Sequence, residues 1–309
     1  MRTHVRALLL ALLALLSAPA LHAAERAVWV WEDASTGWLD DPAYAGDAIA
    51  FLRGRGISTV YLYVEPYPAS NRLANDPAAY RVLLSRLRAN GIHPHALLGS
   101  GHLNSDAYTA AQRRAIAEAQ FQGVLDYNAS ALPAERFEGV SLDIEPHLLK
   151  AWSNKQATLL VQFLDLGRSL MDMKRRSGQS ALQVGPAIPF WYDGLRVKWN
   201  RRTQYMHEHV LDVFDHAVLM DYRDHADGSD GIIAHARAEI DAAALRGKRV
   251  VIGVETADNE IAKVTFFDNT DAQLELALAQ TASAYAGHAG FGGFAVHHFE
   301  SYVEWLAAQ

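Results

Sequence analysis

Apolar residues in this chain fall into two alternating patterns, short dense runs and longer stretches with helical spacing. The runs at 27–31, 59–65, 93–98, 137–145, 181–189, 217–222, 249–255 and 292–298 are rich in Val, Ile, Leu and aromatic residues and predict strands. Between them, 43–53, 80–89, 110–127, 155–174, 207–213, 231–245 and 271–285 carry apolar positions three and four apart and predict helices. Gly54, Gly56 and the pair Asn90-Gly91 follow the first two of these, where a residue able to take the left-handed conformation stops a helix. Eight strands alternating with helices at a spacing of roughly 30 to 45 residues predict an α/β fold, a single closed (β/α)8 TIM barrel. The rival is an open, doubly wound sheet, but no Gly-rich dinucleotide fingerprint follows the first strand.

The first 23 residues break the alternation. Arg2 and Arg6 precede an apolar run at 7–16, and the segment closes on Leu21-His22-Ala23, so 1–23 reads as a secretory signal peptide and 24–309 as one domain. The run is short for a bilayer span of about 20 apolar residues, and no later run approaches that length. A periplasmic or secreted protein is expected, with no stable membrane insertion once the peptide is removed. The chain has no Cys, which excludes disulfides and lipoprotein attachment and leaves stability to the core. A formal charge of −7 argues against a nucleic-acid partner, whose affinity would rest on neutralising phosphates. Seven Trp and twelve Tyr fit a glycan cleft as well as an ordinary core.

Candidate chemistry concentrates at strand ends. In the run Val140-Ser141-Leu142-Asp143-Ile144-Glu145, period-two alternation sends Ser141, Asp143 and Glu145 to one side and the apolar residues to the other. In a barrel the C-terminal strand ends share one mouth, which would also receive Trp31, Glu32, Tyr63, Glu65, Asp221, Tyr222, Glu255, His297 and His298. Carboxylates dominate this set and suit glycosidic cleavage, which needs an acid to protonate the leaving oxygen and a second group to capture or stabilise the anomeric carbon. Glu145 is the expected acid. Its partner is either Asp143, orienting a substrate acetamido group that attacks in its place, or Glu255 as an enzyme nucleophile. Tyr222 is expected to hold the acetamido oxygen or the nucleophile. Trp191 and Tyr192, after the fifth strand, form a candidate sugar platform, and Glu32 and Glu65 would bind a cationic amino sugar or pair with Arg. The loop from Asp224 to Gly231 either covers the mouth or is a plain connection. His93, His95 and His216 lack metal-motif spacing, so neither a metal nor another cofactor is expected. No Gly-x-Ser-x-Gly elbow occurs.

Glu138-Gly139-Val140-Ser141-Leu142-Asp143-Ile144-Glu145 resembles the fourth-strand signature of the chitinase-like barrels, glycoside hydrolase family 18, Asp-Gly-x-Asp-x-Asp-x-Glu. The resemblance implies Glu145 as the acid and Asp143 as the carboxylate that positions an N-acetyl group. Met220-Asp221-Tyr222 looks like that family's sixth-strand Met-x-Tyr, with Arg223 where Asp is usual, and Gly292-Gly293-Phe294-Ala295-Val296-His297 looks like its last strand, with His297 at the place of the floor Trp. Ser141 replaces a further Asp of the signature. Ile144-Glu145-Pro146 with Gly253-Val254-Glu255-Thr256 is also similar to the large retaining clan that carries its acid/base on the fourth strand and its nucleophile on the seventh. Both resemblances imply Glu145. A glycoside hydrolase acting on a polysaccharide or glycoconjugate, with N-acetylated sugars preferred, is the expected function; a noncatalytic carbohydrate-binding barrel is the alternative that Ser141, Arg223 and His297 favour.

Overall fold

Residues 25–64, 71–99 and 114–309 are described by a computed structural model; the segment 1–23 and Glu65 lie outside the described residues. Eight parallel strands close into a barrel: β1 (Glu25–Val30), β2 (Thr59–Tyr63), β3 (His93–Leu98), β4 (Gly139–Leu142), β5 (Gln183–Pro189), β8 (Ala217–Met220), β9 (Val250–Glu255) and β10 (Phe291–His297). The two remaining strands, β6 (Arg196–Trp199) and β7 (Arg202–Tyr205), form an antiparallel hairpin inserted after β5. The barrel order β1-β10-β9-β8-β5-β4-β3-β2 is a (β/α)8 TIM barrel, with helices laid over its outside.

Alternation along the strands divides the apolar residues between two layers. Trp29, Tyr61, Tyr63, Leu97, Val218 and Val251 fill the interior, with Trp31 and Met220 packed on that layer. Val28, Val60, Leu62, Val140, Leu142, Ile252 and Val296 face the helices. Closure is steric as well as apolar: Gly293, at φ +123°, sits so close to β1 that a Cβ there would meet the Glu25 oxygen at 2.0 Å. Arg26 on β1 and Arg55 bind Glu275 and Asp271 of the Asp271–Ala284 helix, with Tyr302 in the same network, and so tie the first strand to the last helices.

β4 is shorter than the sequence pattern predicts. Its ladder ends at Leu142, so Asp143 and Glu145 stand just past it. The hairpin and the helices Glu32–Asp40 and Phe299–Ala307 were absent from the pattern. The former helix contains Ser, Thr, Gly and two Asp, poor intrinsic helix formers that tertiary packing of Ala34 and Trp38 overrides.

One buried acid marks the helical layer. Glu239, on the Ile232–Ala244 helix, is 0% exposed and neither carboxylate oxygen has a hydrogen bond; His207 Nδ1 lies 4.0 Å away. Burial first, and then the charge of Asp193, push its pKa well above the carboxylate range. The folded state therefore keeps a proton that the unfolded chain releases above about pH 4.3, and stability falls as pH rises through that window. Glu239→Gln is expected to raise stability at pH 8 by about 1–3 kcal/mol, a margin that disappears near pH 4. Thermal unfolding of both proteins at the two pH values checks this, and an equal margin at both would show that Glu239 is paired.

Candidate active site

The two carboxylates after β4 are fixed by main-chain contacts with the neighbouring strand. Asp143 N–H donates to Leu98 O at 2.7 Å, and the next residue of that strand's exit, Gly99, takes φ +103°. A Cβ on Gly99 would fall 1.9 Å from the Asp143 carbonyl oxygen, so only glycine admits this approach. Pro146 then starts a single 3-10 turn, Pro146–Leu148, which brings His147 Nε2 to 3.2 Å from Glu145 Oε2. Asp143 and Glu145 are both half-buried.

His147 meets Trp191 edge-on at 5.3 Å and Trp152 at 6.2 Å, and the two indoles are 5.9 Å apart. Trp191 thus joins an aromatic cluster beside Glu145. His147 and Trp152 escaped the sequence reading: they lie outside any strand, and only the folded barrel brings the loop after β5 to them. Their one signal is the Pro146 turn immediately after the carboxylate pair.

Across the mouth, Glu255 ends β9 and is 8% exposed. Its Oε1 accepts the main-chain N–H of Thr256 and of Ala257, each at 2.8 Å, and its Oε2 is 2.7 Å from His297 Nδ1. His297 Nε2 in turn accepts the Trp31 indole N–H at 3.1 Å. Tyr222 packs against the same imidazole, ring centroids 5.8 Å apart. Burial, followed by the charges of Glu255, Asp143 and Glu145, holds the Tyr222 hydroxyl well above its ordinary pKa. It remains a neutral O–H, able to donate to a ligand oxygen in the shared field of three carboxylates. Tyr63 lies in the inner layer with its ring 6.2 Å from that of Trp31, and Glu32 opens the helix that follows.

Three expected site residues are placed elsewhere. Asp221 is 0% exposed and turns outward: since Val218, Met220 and Tyr222 take the inner side, alternation gives Asp221 to the helices, where its Oδ1 bonds His235 Nδ1 at 2.9 Å. Burial, opposed by His235, raises its pKa to about 6. Tyr192 is 1% exposed and packed in the outer core, so it offers no face to a sugar, although the charge of Glu145 reaches its hydroxyl. His298 faces away from His297 and pairs with Glu300 at 2.9 Å, at the start of the Phe299–Ala307 helix.

The Asp224–Gly231 loop is pinned. Asp230 Oδ1 takes Arg223 Nε and Nη2 at 3.0 and 2.9 Å, and its Oδ2 takes Lys263 Nζ at 2.7 Å. Arg223 also lies over the Phe190 ring at 5.0 Å, and Phe190 stacks on His235 at 4.1 Å.

His95 and His216 lie inside the barrel with their rings 6.1 Å apart, occupying the spaces that Cβ atoms at Gly139 and Gly185 would need. Among the described residues no group of three or more His, Asp or Glu is arranged to hold a metal ion, and no helix is long and apolar enough to cross a membrane.

The backbone resembles those of several glycosidases. A plant class V chitinase mutant from Cycas revoluta aligns with 92% of this chain and 97% of its own, at 13% identity and a TM-score of 0.56. The exo-beta-1,4-mannosidase Op5Man5 from Opitutaceae bacterium strain TAV5 aligns over 89% of this chain and 52% of its own, at 13% identity and a TM-score of 0.55. A chitinase-like agglutinin from Robinia pseudoacacia aligns over 89% and 95%, at 14% identity and a TM-score of 0.50. Such identities establish a shared barrel fold and nothing finer. No protein-family model and no curated protein matches the chain.

Proposed function

We propose that this chain is an extracytoplasmic glycoside hydrolase that cleaves a polysaccharide or glycoconjugate next to an N-acetylated sugar by substrate assistance, with 1–23 serving as its signal peptide. The carrying observation is the Tyr222 hydroxyl, kept neutral by burial in the common field of Glu255, Asp143 and Glu145 at one barrel mouth. Glu145 gives its proton to the leaving oxygen while the acetamido oxygen forms a bond to the anomeric carbon and the glycosidic C–O bond breaks. Asp143 orients the acetamido N–H and Tyr222 donates to its oxygen. Water, deprotonated by the Glu145 carboxylate, then opens the ring intermediate with net retention. Glu255 is a poor nucleophile here, since three N–H donors already engage its oxygens. Trp31, Tyr63, Trp191 and Glu32 line the approach, with Glu65 assigned there by sequence alone.

A binding-only barrel is the second reading, supported by the agglutinin among the structural neighbours and by Ser141, Arg223 and His297 at signature positions. Reducing-end release from N-acetylglucosamine oligomers, peptidoglycan fragments and exopolysaccharides, each beside its de-N-acetylated counterpart, tests both. Cleavage confined to the N-acetylated forms is expected. Equal cleavage of both forms would refute substrate assistance, and glycan binding without turnover would establish the second reading.

A further inference from the structure

We infer that Glu255 is a positioning residue which, through His297, fixes the Trp31 indole as a sugar-facing wall of the mouth. Three adjacent strands supply the parts: Trp31 follows β1, His297 ends β10, and Glu255 ends β9, in register directly beside His297. An indole N–H can only donate. The 3.1 Å contact from Trp31 Nε1 therefore requires a bare lone pair on His297 Nε2, which places the imidazole proton on Nδ1, where it donates to Glu255 Oε2 at 2.7 Å. The other carboxylate oxygen is held by the Thr256 and Ala257 amides. Direction is thus imposed along the whole chain, from backbone amides through carboxylate and imidazole to indole. Trp29, Trp31 and Tyr222 pack around His297, with ring centroids 5.7, 6.2 and 5.8 Å away, so the imidazole cannot tilt to relieve a mismatch.

A side-chain amide cannot replace this carboxylate. Gln offers one acceptor oxygen where two are required, so either the Thr256 and Ala257 amides or His297 Nδ1–H would face an NH2 group. The first outcome strands two amide donors. The second forces His297 to move its proton to Nε2, opposite the Trp31 N–H, and the indole loses its anchor. The ligand affected is the sugar ring that packs against Trp31. That part of the inference rests on the glycosidase reading; the proton assignment does not.

The test uses the full chain labelled with 15N. In the wild-type protein His297 is expected in the Nδ1–H tautomer. In Glu255→Gln the tautomer reverses, and the Trp31 indole N–H exchanges with solvent about tenfold faster or more. Glu145→Gln serves as the control and leaves both signals in place. On a cleaved glycan, Glu255→Gln should raise KM about tenfold with kcat reduced less than about threefold, and Trp31→Phe, which keeps a ring without the N–H, should reproduce the KM rise. An Nε2–H tautomer in the wild-type protein, or an indole signal indifferent to Glu255→Gln, overturns the assignment. A kcat loss of about 10³-fold at unchanged KM makes Glu255 the nucleophile and overturns it equally. If the wild-type protein cleaves nothing, the glycosidase reading fails separately, and the tautomer together with glycan affinity in Trp31→Phe still decides the inference.

Discussion

Glu145→Gln is expected to lower turnover of an N-acetylated glycan by about 10³-fold while leaving the fold intact, since general acid assistance at a poor leaving group has about that worth. The replacement is nearly isosteric and the side chain is 25% exposed, so no buried charge is stranded and no cavity opens. A leaving-group series separates lost acid catalysis from lost binding. An aryl glycoside whose phenol departs without a proton should retain most of its first-step rate in Glu145→Gln, whereas the natural glycosidic oxygen should not. Asp143→Asn should behave differently, slowing both substrates, because the acetamido group loses its orienting carboxylate whatever the leaving group is. Unchanged hydrolysis of the natural linkage by Glu145→Gln would remove the mechanism. Equal slowing of both substrates by that variant would assign Glu145 to binding.

The second large effect concerns acid. The stability difference between the wild-type protein and His95→Gln is expected to shrink by about 3 kcal/mol between pH 7 and pH 4. Burial first, then the neighbouring His216, push His95 down to about 3; burial likewise pushes His216 to about 4, against the opposing charge of Asp215. An unfolded histidine titrates near 6.5. Above that pH neither state carries the proton, and the stability due to a neutral His95 is fully present. Below it the unfolded chain takes up a proton that the barrel interior refuses, and this stability is lost progressively as pH falls toward the folded value. Glu239 and Asp221 titrate in the opposite sense, so the wild-type curve alone would mix the contributions, and the difference from the variant isolates His95. Urea unfolding at several pH values measures it; parallel curves would mean that His95 is protonated inside the fold.

The barrel was legible because closure writes itself into periodicity. Each of the eight barrel strands falls within or beside a predicted apolar run, since strands covered on both faces need such runs wherever the helices lie. The hairpin β6–β7 was not legible, as Arg196–Trp199 and Arg202–Tyr205 are mostly exposed and charged, and their turn uses Asn200 and Arg201 at positive φ where a glycine would have announced it. In the site, Glu145, Asp143, Tyr222, Glu255 and His297 could be nominated from strand ends. Asp221 was misplaced because it follows the last ladder residue by one, and a single step along an extended segment exchanges inside for outside. The partners of these residues were invisible: nothing in the spacing of positions 31, 255 and 297 announces one hydrogen-bonded chain. Likewise only the turn at Pro146 sets His147 against Glu145.

The clasp formed by Asp230, Arg223, Lys263, Phe190 and His235 has a further consequence. It joins the segments that leave β5, β8 and β9 by charge-assisted bonds and stacked rings, so this arc of the rim acquires its shape during folding. A ligand arriving on that side meets a wall already built, and little of its binding energy is diverted into immobilising loops.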